Sequence, residues 1–168
     1  MRILITIFSF LFVTSSWSQQ YFYKLYSGNS FDKGEDIIET MDSSYIVAGS
    51  SGSWGGNSQA FLMKIDSLGN YIWSYPYGGA ESEEAVSVME RPGSGFYMAG
   101  MSNSMSQGNF DAMLIKTDLN GNQEWMKTYG NSAWDRINAA VMTKDTGIMM
   151  VGYRQALMGV NSDILLMR

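Results

Sequence analysis

The sequence predicts an all-β chain assembled from a repeated four-stranded unit of about 52 residues. Two observations carry that expectation. The first is recurrence: Asp66-Ser-Leu-Gly69-Asn70-Tyr-Ile-Trp73 returns 52 residues later as Asp118-Leu-Asn-Gly121-Asn122-Gln-Glu-Trp125. Lys64 and Lys116, Gly78 and Gly130, Gly100 and Gly152, and Asp111 and Asp163 keep the same step, while Gly49 to Gly100 is 51. A fixed period of this size marks units that each bury an apolar face against the next. The second is punctuation: short apolar runs alternate with Gly, Asn and Ser clusters, and no long stretch has a 3.6-residue period.

The strands follow in order. In the second unit they are Glu84–Met89, Phe96–Ala99 closed by Gly100, Phe110–Lys116, and Asn122–Tyr129 around Trp125. The first unit repeats the plan with Asp36–Met41, Tyr45–Ala48, Ala60–Ile65 and Tyr71–Tyr77, and the third with Ile137–Thr143, Ile148–Val151 and Asp163–Arg168. Tyr21 to Gly28 resembles Trp125 to Gly130, so residues 21–27 read as an extra fourth strand ahead of unit one. Unit boundaries fall at about 28–77, 78–129 and 130–168 within a repeat domain of residues 19–168. In the Asp-x-x-Gly-Asn turn, Gly and Asn tolerate a left-handed backbone and Asp caps its own turn. Trp73 and Trp125, at one place in successive units, are expected to fill the space between sheets.

Four-stranded units near 50 residues suit the blades of a β-propeller. The expected fold is therefore β-propeller-like, with three blades in an incomplete ring, since propellers use 4–8 blades. The expectation leaves three arrangements: a fragment of a longer propeller, an open arc, or two chains joined head to tail through their open edges.

The first residues carry a different message. Met1-Arg2, an apolar run from Ile3 to Val13, and Ser16-Trp17-Ser18 form the pattern of a secretory signal peptide over residues 1–18. The run is too short for a membrane span, which takes roughly 20 residues. Secretion to the periplasm, cell surface or medium is the expectation. No cysteine is present, so no disulfide staples the exported core.

The motif series shows a resemblance. Tyr45 to Gly49, Lys64 to Trp73, Phe96 to Gly100, Lys116 to Trp125 and Ile148 to Gly152 resemble the propeller repeats of secreted bacterial surface proteins, of the SBBP and delta-60 type, and distantly quinoprotein-like blades. The resemblance spans residues 21–168 and implies an extracellular propeller. Ser43-Ser44 departs from the Gly-Gly usual before the second strand, and Gly147 is followed by Ile148 rather than an aromatic residue.

Chemistry is constrained by what the chain lacks. A net charge of −5 disfavours nucleic acid, which needs clustered Lys or Arg. With neither histidine nor cysteine, the usual general base, thiol nucleophile and commonest metal ligand are missing. Glu81, Glu83 and Glu84 are the carboxylates from which a propeller glycoside hydrolase, the alternative reading, would draw its pair. The Asp-x-x-Gly-Asn turns place Gly at position four, against position six in a calcium-binding EF-hand loop, so they read as structural hairpins. No catalytic residue, metal site or cofactor is assigned.

Binding candidates are residues that break the repeat. Trp54 aligns with Met105 and Trp134 with Ser82, so neither occupies a repeated core position. Trp54 with Asn57, and Trp134 with Asp135, are the expected ligand-binding residues, offering aromatic faces beside polar groups to a glycan or a surface protein. The sequence therefore reads as an exported, non-enzymatic module for binding or scaffolding, the alternatives being a glycoside hydrolase or a lectin-like glycan binder.

Overall fold

The structure, a computed structural model, describes residues 21–55, 57–106, 109–155 and 161–168. The expected signal peptide lies outside the described residues. Eleven strands and no helix are present among them. The strands are β1 (Asp32–Glu39), β2 (Tyr45–Ser51), β3 (Gln59–Ile65), β4 (Tyr71–Tyr77), β5 (Glu83–Arg91), β6 (Gly95–Ser102), β7 (Asp111–Thr117), β8 (Gln123–Tyr129), β9 (Trp134–Met142), β10 (Ile148–Gln155) and β11 (Ser162–Met167). They make three antiparallel sheets, β1-β2-β3-β4, β5-β6-β7-β8 and β9-β10-β11, each an up-and-down meander in chain order.

The turns form because their residues satisfy themselves. Asp66 accepts the backbone N–H of Leu68 and Asn70 at 2.8 and 2.7 Å and the Asn70 side-chain amide at 2.8 Å. Asp118 holds Asn120 and Asn122 in the same way. Gly69 and Gly121 take φ of 73° and 84°, the left-handed region open to glycine at little steric cost.

A second device repeats in every sheet. The first strand is bulged against the second, leaving Glu35, Val86 and Asn138 without a direct partner. The bulge drives the carbonyl oxygens of Lys33, Glu84 and Arg136 against Gly49, Gly100 and Gly152. A Cβ at those glycines would lie 1.9, 1.9 and 1.7 Å from the oxygen. The periodic glycines are thus a close-approach requirement rather than turn residues.

The sheets stack through alternating faces. Ile46, Ala48, Ala60, Leu62 and Tyr77 of the first sheet meet Val88, Phe96, Met98, Met113 and Ile115 of the second. The second sheet turns Met89, Tyr97, Ala99, Ala112 and Leu114 toward Ile137, Ile148, Met150, Leu165 and Met167 of the third. Trp73 and Trp125 pack at these two seams, 6.4 Å from Phe96 and 6.0 Å from Tyr97. Full burial of a side chain such as Leu62, Phe96 or Met98 in these seams contributes about 1.5–3 kcal/mol. Neighbouring first strands are also tied by hydrogen bonds, from Val88 N to Asp36 at 2.8 Å and from Ser87 Oγ to the Ala140 carbonyl at 3.2 Å.

One expected strand is absent. Residues 21–28 form no regular element and have no ladder partner, because no strand edge of the described chain runs beside them. They cross the outer face of the first sheet instead, where Tyr26 packs near Phe61, Met63 and Ile65.

Candidate functional site

The first residue of β5, the second residue of β9 and the first residue of β1 are acids, and each closes the same end of its sheet. Asp32 accepts from Ser51, from Ser53 Oγ at 3.0 Å and from the Gly28 amide at 2.8 Å. Glu83 accepts from Ser102 Oγ at 2.8 Å, from Ser104, and from the Gly79 amide at 3.1 Å. Asp135 accepts from Arg154 Nε at 2.6 Å and the Asn131 amide at 3.3 Å. Hydrogen bonds from Ser51 and then Gly28 hold the Asp32 carboxyl below its usual range. In each sheet the acid fastens the second strand and the incoming link to the first. Asp135, expected as a ligand contact, is wholly buried in this latch and turns its carboxylate away from solvent.

Trp54 and Asn57 lie together in the loop between β2 and β3. Trp54 is 42% exposed, with its ring 5.9 Å from Phe61. It borders a pocket of about 280 Å³ shared with Asn57, Gln59, Pro76 and Gly79. Asn57 donates its amide to the Ala80 carbonyl at 3.3 Å and to Glu81 at 3.1 Å. Gln59 donates to the Gly79 and Glu81 carbonyls at 3.2 and 3.1 Å. These amides hold the 78–82 link beneath the indole, so Asn57 shapes the pocket more than it lends donors to it. Trp134 is 37% exposed beside Phe110, with ring centres 5.6 Å apart, and is not among the residues lining the Trp54 pocket.

A further site was not anticipated. β1, β5 and β9 lie side by side along one edge of the stack, and their bulges aim charged residues into a cavity of about 350 Å³. Lys33, Glu84 and Arg136 hold equivalent places on the three strands. Glu84 pairs with Lys33 at 3.3 Å and with Arg136 at 2.9 Å, and Lys33 also pairs with Glu35. The Lys33 hydrogen bond holds Glu35 below the ordinary glutamate range, and Glu35 and Glu84 raise Lys33. Asn138 and Tyr153 complete the wall. The signal was present as a common step, but the residue type changes from Lys to Glu to Arg, so a comparison of like with like passes over it.

The Glu81–Glu84 cluster does not converge. Glu81 meets Asn57, Glu83 is locked in the latch, and Glu84 sits in the charged cavity. Among the described residues, no group of three or more acidic side chains is placed to hold a metal ion. No described helix is long and apolar enough to cross a membrane. The chain matches no protein-family model and no curated protein.

Proposed function

We propose that the chain is an exported, non-catalytic module of propeller-like repeats that binds a glycan or a surface protein at or beyond the cell surface. The three sheets read as successive blades, with β1, β5 and β9 innermost and the charged cavity along the axis. The observation that carries the binding role is Trp54, a half-exposed indole beside a pocket it shares with Asn57, Gln59, Pro76 and Gly79, at a position the repeat does not require for its core. An indole face of this kind stacks on the apolar face of a sugar ring or anchors a protein contact. Against a hydrolase drawing its pair from Glu81, Glu83 and Glu84, these three glutamates face three separate surroundings, whereas glycoside hydrolysis needs two carboxyls flanking one bond.

The test is calorimetric titration of the purified chain with a glycan panel and candidate surface proteins, repeated on Trp54→Ala. A bound ligand that loses at least about tenfold in affinity, or about 1.4 kcal/mol, in the variant supports the site. Unchanged affinity removes Trp54 from it, and release of reducing sugar that disappears in Glu84→Gln would overturn the non-catalytic reading. For export, the intact mass of the full chain expressed in a bacterial host should show loss of residues 1–18; an uncleaved cytoplasmic product contradicts it.

A further inference from the structure

Two faces of the stack stand open, and they are complementary. The third sheet turns Val141, Met149, Val151, Ile164 and Leu166 to one side, as the cross-strand pairs Met149–Val141, Val151–Leu166 and Tyr153–Ile164 require. In the first two sheets the places of Val151, Ile164 and Leu166 are taken by Ala48, Ala60 and Leu62, and by Ala99, Ala112 and Leu114. All six are buried against the next sheet. In the third sheet the same places are 40%, 85% and 61% exposed, yet they remain apolar. At the other end, the first sheet offers Tyr45, Val47, Phe61 and Met63, the counterparts of Phe96, Met98, Met113 and Ile115. There Val47, Phe61 and Met63 border a groove of about 760 Å³.

The segment 21–28 shows what belongs between these faces. Tyr26 donates its hydroxyl to the Gly69 carbonyl at 2.6 Å, as Tyr77 of β4 donates to the Gly121 carbonyl of the following unit at 2.7 Å. Phe22 lies against Gly69 as Trp73 lies against Gly121. Gly28 N reaches Asp32 as Gly79 N reaches Glu83. Residues 21–28 therefore stand toward the first sheet as β4 stands toward the second, without a sheet of their own. β11, meanwhile, has no further strand beside it among the described residues, where β3 and β7 each carry a fourth strand.

We infer that the partner for both features is a second copy of this chain, joined head to tail. The first sheet of one copy covers the open face of the other copy's third sheet, and residues 21–28 add to β11 as its fourth strand. The inference rests on the propeller-like reading, because its template is the seam between consecutive units. The register is fixed by that template. Ala60 pairs with Tyr77 and Ala112 with Tyr129, Phe61 with Pro76 and Met113 with Thr128. Ile164 of one copy then faces Tyr26 of the other, and Leu165 faces Leu25. Two such seams related by a two-fold axis give a closed assembly of six sheets and leave no β11 edge open.

Light scattering on the purified full chain at tens of micromolar should give twice the chain mass. Ile164→Asp with Leu166→Lys, at positions exposed in the single chain, should give the single mass with an unchanged β-type circular dichroism spectrum. The chain has no native cysteine, so Leu25→Cys with Leu165→Cys should oxidise to a covalent dimer, and either cysteine alone should not. A wild-type chain that stays monomeric, or a cysteine pair that fails to cross-link between copies, overturns the inference. Trp54 also borders that groove, so the ligand titration is repeated on the Ile164→Asp, Leu166→Lys chain: binding there reports on the ligand site alone, and the two readings fail separately.

Discussion

Replacing Glu83 by alanine separates a structural acid from a catalytic one. The carboxylate is buried and holds two serine hydroxyls and one backbone amide. Its removal orphans three donors at the meeting point of β5, β6 and the 78–82 link. Hydrogen bonds to a charged group contribute about 1.5–3 kcal/mol each, and part of that is offset because the variant no longer buries a charge. The net loss should be about 3–5 kcal/mol, a large share of the 5–15 kcal/mol typical of a domain. Glu84 is the internal control, since it sits next in sequence but in the partly solvated ion pairs with Lys33 and Arg136. Its alanine variant should cost about 1 kcal/mol or less. Urea denaturation followed by circular dichroism measures both. A Glu83 variant as stable as wild type, or a Glu84 variant that loses more, would refute the latch, whereas an acid kept for catalysis would cost little stability when removed.

Other expectations follow from the same geometry. Tyr77→Phe should lose about 1 kcal/mol in urea melts, because only the hydroxyl bond to Gly121 goes, while Tyr71→Phe, on the surface, should be near neutral. Gly100→Ala should lose about 3 kcal/mol or fail to fold, since its methyl meets the Glu84 carbonyl and the β5 bulge must give way. Ser43→Gly should gain about 1 kcal/mol, because Ser43 holds a φ of 61° that glycine adopts without strain. Asp42 is held below the usual carboxylate range by Lys64 and Thr40, Asp66 by the Asn70 amide and Asp118 by the Asn122 side chain. Their stabilisation is complete above the unfolded carboxylate value near 4 and is lost as pH falls through the lower folded values. Burial raises the Tyr77 phenol, so its contribution holds below about pH 10 and is lost as pH climbs through the folded value. The urea midpoint should therefore be flat from about pH 5 to about pH 10 and fall below and above that window, and a midpoint that rises below pH 4 would contradict these assignments.

Strand placement was legible because alternation and turn chemistry are local. Ile46 and Ala48 face one seam and Tyr45 and Val47 the other, and a period of two encodes that directly. The turns at Asp66 and Asp118 were legible for the same reason. Residues 21–28 have the composition of a fourth strand, but a strand needs a neighbouring edge, and composition does not supply one. Asp135 next to Trp134 read as surface because it stands outside the apolar pattern; its burial depends on Arg154, 19 residues away on the adjoining strand. The common latch role of Asp32, Glu83 and Asp135 escaped notice because the three alternate in side-chain length while serving it. The charged cavity was hidden by its own complementarity, as pairing across three strands requires Lys, Glu and Arg at one equivalent place.

A propeller-like fold requires a radial order of the three sheets. A crystal structure of the purified chain tests it. The propeller-like reading predicts β1, β5 and β9 around a common axis, with Lys33, Glu84 and Arg136 facing it and the fourth strands outermost. Sheets that stack without a shared axis, or in which Lys33 and Arg136 do not reach Glu84, would contradict it.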